Sequence, residues 1–319
     1  MKLNRTQIIL AVLLLAQIVL SALTLWPRSG AAAGNEPLFA GLKDAEVVAM
    51  SVTDNQGASI VLRKVSGNWV LPSADDYPAN NDTINPLLDK IKAITNRRLV
   101  TRTESSHKRL QVGSDSFLRR LDLEAADGSK YSLYIGSAPN YGTSHVRAEG
   151  RNEVYLADGI SQWDFGTAPV PWANGTYFSV AQDEVQEIVL ANASGTFTFK
   201  RGADAQWTWE GLPAGEQLAS AEVSSLVSKA TQVTMSRPLG KQKLPEYGMD
   251  QPLAVVTLKK ASETITLSVG AKDPTDSTYV VNVSTSPYYV RVNEYFAQAL
   301  VEDTSSSFVQ LPATPTPAS

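Results

Sequence analysis

No cysteine occurs anywhere in the 319 residues of this chain. That one absence excludes structural disulfides, thiolate metal sites, cysteine nucleophiles and a lipid-modified cysteine. Any attachment to a membrane must therefore come from the peptide itself. Histidine is nearly as scarce, with only His107 and His145, too few for a site built on several imidazoles. Strong charge of either sign is also missing. A net charge of −4 gives no general pull toward nucleic acid, so no nucleic-acid partner is expected. The sequence contains no Walker loop, dinucleotide fingerprint, zinc-ligand spacing or Gly-x-Ser-x-Gly elbow. These absences point away from an enzyme and from any cofactor or metal.

What is present suits a folded body: 43% of residues are hydrophobic and 19% charged. The apolar residues include one long run, Ile8 to Trp26, broken only by Gln17, Ser21 and Thr24 and free of charge. As a helix this run is about 28 Å long, close to the hydrocarbon thickness of a bilayer. Hydrocarbon offers the backbone no other hydrogen-bond partner, so a spanning segment has to be helical. Trp26 falls where an interfacial ring is favoured. Lys2 and Arg5 precede the run, while Arg28 and then Glu36 follow it. The basic bias places residues 1–7 in the cytoplasm and the body outside. The rival reading is a cleaved signal peptide, with Ala31-Ala32-Ala33 as the small-residue cleavage site. Both readings send the body to the same extracytoplasmic compartment. The expected localisation is the cell membrane, single-pass.

Beyond a linker at residues 27–44 the body reads as two similar halves, residues 45–180 and 183–312, before a Pro/Thr-rich tail at 313–319. Each half opens with two strand-like runs and a tryptophan: Val48–Val52, Ile60–Lys64 and Trp69, then Ile188–Leu190, Phe197–Arg201 and Trp207. Each continues with a helix bearing one apolar stripe. The first stripe is Ile84, Leu87, Leu88, Ile91 and Ile94; the second is Val223, Leu226, Val227, Ala230 and Val233. Spacings of three, four and seven mark a helix packed by one face. Asn81 and Ser220 are the expected N-caps. Alternating strands follow, Tyr131–Gly136 matching Ile265–Gly270. Strands at His145–Arg147 and Val154–Leu156 match Tyr279–Val281 and Tyr289–Arg291. Short helical stretches, Gly159–Phe165 and Glu294–Val301, close the halves. The predicted class is α+β: an N-terminal transmembrane helix, then two tandem β-rich modules, each a mainly antiparallel sheet with one packed helix.

These stretches resemble a known family. Gly67-Asn68-Trp69-Val70-Leu71-Pro72, Ser105–Val112, Leu133-Tyr134-Ile135-Gly136-Ser137, His145-Val146-Arg147 and Glu153-Val154-Tyr155-Leu156 occur in an order similar to that of bacterial membrane-anchored proteins built from the domain of unknown function 4340 (DUF4340). Tyr247-Gly248-Met249-Asp250-Gln251-Pro252 resembles that family's Tyr-Gly-Leu-Asp-x-Pro signature, with Met249 in place of Leu. The first half carries the variant Leu110-Gln111-Val112. The likeness spans about residues 40–310. It carries over no catalytic residue. It implies one candidate partner, an ABC-type membrane complex, because members are often encoded beside such components.

Each chemistry-bearing residue also has a plainer role. His107, beside Ser106, reads as a surface-loop residue, since neighbours in sequence point apart. His145, sharing a strand face with Arg147, reads as solvent-facing. Asp75-Asp76 could hold a hard cation but lacks a calcium-loop spacing, and reads as an acidic loop after a strand. Tyr247–Pro252 reads as structural, with Gly248 able to take positive φ. Trp69, Trp163, Trp172, Trp207 and Trp209 could stack on sugars. Trp69 and Trp207 sit at equivalent repeat positions and read as core. Trp172, near Pro169 and Pro171, is the expected exposed contact for a ligand or partner. Three functions follow: a non-enzymatic membrane-anchored accessory or binding protein, a cell-envelope glycan binder, or a hydrolase with a carboxylate site between the modules.

Overall fold

The computed structural model describes residues 34–310, together with Gln17 alone upstream. The transmembrane helix expected at residues 8–26 (Gln17 apart) and the tail at 313–319 lie outside the described residues, as does the first part of the linker, residues 27–33. Among the described residues no helix is long and apolar enough to cross a membrane.

The body consists of two tandem α+β modules. The first holds β1 (Val47–Asp54), β2 (Ser59–Val65), β3 (Asn68–Leu71), β4 (Tyr77–Pro78), α1 (Asn81–Lys92), β5 (Leu99–Thr101), a single helical turn α2 (His107–Leu110), β6 (Arg119–Ala125), β7 (Lys130–Ile135), β8 (Thr143–Ala148) and β9 (Val154–Asp158). A connecting strand, β10 (Thr176–Ser179), follows. The second module holds β11 (Glu187–Asn192), β12 (Gly195–Arg201), β13 (Trp207–Trp209), α3 (Ser220–Thr231), β14 (Gln232–Thr234), β15 (Arg237–Gly240), β16 (Ala254–Lys259), β17 (Thr264–Lys272), β18 (Tyr279–Val283), β19 (Tyr289–Val292) and α4 (Glu294–Glu302).

The first sheet has the order β4-β3-β2-β1-β6-β7-β8-β9-β5 and the second β13-β12-β11-β16-β17-β18-β19-β15. Apart from β4 they are the same sheet twice, and the neighbours pair antiparallel in both. Register fixes the equivalence residue by residue. Val52 faces Ile60 on one side and Leu121 on the other; Leu190 faces Phe197 and Val256. Lys64 faces Trp69 where Arg201 faces Trp207.

In each module the chain passes from one edge of the sheet, β4 or β13, through a helix on one sheet face to a strand at the far edge, β5 or β15. The helix stripes expected from sequence are buried: Ile84, Leu87, Leu88 and Ile91 on α1, and Val223, Leu226, Val227 and Ala230 on α3. Each such side chain contributes about 1.5–3 kcal/mol on burial, which offsets Pro86 inside α1.

Three expectations need correction. The cap of α1 is Asn80, whose side chain accepts the Asp82 N–H, while Asn81 Oδ1 takes the Trp69 backbone N–H. Ser220 is the first residue of α3, and Ala219 before it offers no side-chain cap. Strand β10 pairs antiparallel with β14 in a separate two-stranded sheet. The stretch Gly159–Phe165 is no α-helix; it forms only a 3-10 turn, Gln162–Asp164.

Candidate functional site

Three regions bring chemistry-bearing side chains together: a pocket on the first sheet, the junction between modules, and the segment after β9.

The pocket lies on the sheet face opposite α1 and has a volume of about 640 Å³. The segment 104–117 packs there through Leu110 and Val112 against Tyr134 and Val154. Its turn closes at Gln111, in left-handed conformation (φ 57°). Arg147 crosses the pocket floor with 6% exposure. Its Nε donates to Val112 O (2.6 Å) and its Nη1 to Arg151 O (3.0 Å). Its guanidinium stacks 4.5 Å from the Tyr134 ring centre, and Arg120 lies 5.7 Å away over the same ring. Tyr134 Oη donates to Glu149 (3.0 Å), which also pairs with Arg120 (3.4 Å). Burial, and then the bond to Glu149, holds the Tyr134 phenol above its ordinary pKa. Burial pulls Arg147 down, yet a guanidinium starts high enough to stay cationic. With two of its five donors bound to backbone carbonyls, Arg147 ties the 104–117 segment to the sheet.

Both histidines depart from expectation for the same reason: this packed segment buries them. His107 is 7% exposed, on α2 and not in an open loop, with Nε2 2.9 Å from Asn152 O. His145 is 8% exposed, with Nδ1 2.7 Å from Ser137 O and 3.1 Å from Ser137 Oγ. That Ser–His proximity was not legible in sequence. It does not activate the hydroxyl, because Ser137 Oγ donates to Leu110 O (3.2 Å) and the imidazole N–H is directed to the Ser137 carbonyl.

At the matching place in the second module, Tyr247 packs on Tyr289, ring centres 5.5 Å apart, and Gly248 takes the left-handed turn (φ 66°) where Gln111 stands in the first. The glycines that follow β7 and lie within β17 explain the shared pattern. A Cβ on Gly136 would lie inside the van der Waals envelope of Leu110 O and 2.6 Å from Gln111 O; one on Gly270 would meet Tyr247 O in the same way. The two signatures, Leu110-Gln111-Val112 and Tyr247-Gly248-Met249, are thus the same buttress used twice.

Asp75-Asp76 forms the junction. Both residues are left-handed (φ 55° and 63°), placing the Asp75 carboxylate and the Asp76 backbone carbonyl against the second module. Asp75 Oδ2 accepts the Lys241 N–H (2.7 Å), Asp76 pairs with Arg63 (2.9 Å), and Asp76 O accepts from Tyr288 Oη (2.7 Å). Gly240 approaches so closely that a Cβ would stand 2.5 Å from the Asp75 carboxylate. Tyr77 meets Tyr288 edge-on at 5.1 Å, and Tyr177 Oη donates to Tyr288 O (2.6 Å). Burial, then neighbouring Tyr177 and Tyr288, push the Tyr77 phenol well up. The Asp75 carboxylate is bound to the second module's backbone and the Asp76 carboxylate to Arg63, so the pair gives no support to a carboxylate site between the modules.

Trp172 is the clearest correction. It is 1% exposed, its Nε1 donates to Gly166 O (2.7 Å), and its backbone O accepts from Asn80 N (2.7 Å). The prolines around it fold the connector back onto the α1 start, so the ring fills the core and cannot meet a ligand. Among the described residues the exposed tryptophan is Trp163, at 81%. Trp69 is core, with Nε1 bonded to Asn85 (3.2 Å); Trp207 and Trp209 are half-buried at the second core's edge. Among the described residues, no group of three or more His, Asp or Glu is placed to hold a metal ion.

The family profile described as a domain of unknown function (DUF4340) matches residues 69–220 and again 213–309. The chain belongs to that family. The first match runs from β3 across the module boundary to the start of α3, and the second from there through α4, so each takes in one packed helix and the strands that follow it. No curated protein and no solved structure matches the chain at a significant level.

Proposed function

We propose that this protein is a non-enzymatic accessory or binding protein, held by a single N-terminal helix at the outer face of a cytoplasmic membrane and presenting its two modules to a membrane-complex partner. An ABC-type complex is the partner class suggested by the family's usual gene setting. The observation that carries the reading is the pairing of an uncharged apolar run at residues 8–26 with a duplicated body whose modules are locked through Asp75, Asp76, Tyr77 and Tyr288. Such a body is a rigid presenter, and its conspicuous polar clusters are spent on holding it together. Purification in mild detergent at native abundance tests this. The expected result is co-elution with subunits of a membrane complex; recovery of the protein alone contradicts it.

A further inference from the structure

We infer that one corner of the first module is a bilayer-interface surface, with Tyr141 and Trp163 set among lipid headgroups and Lys90 and Arg97 beside their phosphates. This rests on the anchored reading above. Asn35, where the body begins, lines a cavity of about 320 Å³ together with Lys90, Arg97, Arg98 and Asp158. Asp158 ends β9 and pairs with Thr143, and the next residue, Gly159, donates its N–H to Gly142 O. Tyr141 and Trp163 thus project from the corner where the chain enters.

Both rings are exposed for a structural reason. Trp163 sits between Ile160 and Phe165, each fully buried, and a capping box between Ser161 and Asp164 fixes the turn. With its neighbours pinned inward, the indole is directed outward at 81% exposure, and Tyr141 is fully exposed on the adjacent turn. Two large amphipathic rings exposed on neighbouring turns call for a partner, and the headgroup layer favours Trp and Tyr above other places. The basic groups at the same corner have opposing charge: Arg98 is paired with Asp158, Asp164 is turned in to cap its own helix, and Glu36 lies beside Asn96. Lys90 and Arg97 remain exposed. The chain length fits as well. Residues 27–33 separate the apolar run from Gly34, and seven residues reach at most about 25 Å. The entry corner is therefore held against the membrane surface.

The test uses the full chain in vesicles of phosphatidylcholine and phosphatidylglycerol. Because no native cysteine exists, Ala138→Cys in the exposed Tyr141 turn and Ala193→Cys on a second-module hairpin can each carry one nitroxide. Flotation of the vesicles reports the anchor separately. The expected result is loss of access to an aqueous nickel reagent, with gain of access to oxygen, at 138 but not at 193. Combined Trp163→Ala and Tyr141→Ala substitution should return position 138 to the aqueous pattern. A chain that floats while 138 stays as water-exposed as 193, or is indifferent to the double substitution, overturns the inference and leaves the anchor standing. A chain that does not float overturns both. Protection of 138 by envelope glycan fragments without vesicles would also overturn it, in favour of sugar stacking.

Discussion

At the scale of single residues, glycine and tryptophan carry the clearest consequences. Gly136 and Gly270 are required by the approach of a carbonyl, not by backbone conformation. Gly136→Ala should destabilise the protein by about 2–4 kcal/mol, because the clash is with backbone that cannot swing away. Urea unfolding would measure it, and a change within a few tenths of a kcal/mol would refute the buttress. Trp172→Ala should cost about 3–5 kcal/mol through the cavity it opens. Asp54 gives a pH dependence. Backbone N–H groups of Gln56 and Ala58 and the Thr167 hydroxyl bind its carboxylate, lowering its pKa below the ordinary 3.8. Its folded pKa lies below its unfolded one, so its contribution is present above about pH 4 and is lost as pH falls through the folded value. The stability gap between wild type and Asp54→Asn should close on acidification; a gap that stays constant to pH 2 would contradict this assignment. At this scale the sequence was least informative. A buried Trp172 and an exposed Trp163 look alike in a string, because what distinguishes them is whether the connector folds back on α1. His107 and His145 are hidden by a segment whose path over the sheet leaves no periodic mark.

Among elements, legibility follows regularity. The stripes on α1 and α3 and the alternation in β7 and β17 are visible because one buried face imposes a period. β3 and β13, and the far-edge strands β5 and β15, are only three or four residues long, too short to show a period. β10 escaped for another reason, since its partner β14 is more than fifty residues away. The Asp75-Asp76 turn was read as an acidic loop, and its docking role becomes visible only with the second module in place. Gly240 is the sensitive point of that contact, being both left-handed (φ 91°) and against Asp75. Gly240→Asp should therefore separate the modules by strain, steric overlap and like charge. Calorimetry should show two transitions in the variant and one in the wild type. A single transition in both would mean that this contact is not what couples them.

For the molecule as a whole, the doubled sheet explains why one family profile matches twice, and the tyrosine-lined junction makes the pair a single body. Fold class and duplication were legible from sequence because they rest on patterns repeated over many residues. Function was not, since presentation to a partner depends on which surfaces stay open after folding. The account turns on where that body resides. With no native cysteine, one introduced thiol can be followed without background. The most direct measurement is labelling of intact cells with a membrane-impermeant maleimide, comparing Ala193→Cys in the body with Asn4→Cys before the apolar run. The account predicts labelling at 193 in intact cells and at 4 only after lysis. Labelling at 193 that waits for lysis would contradict it.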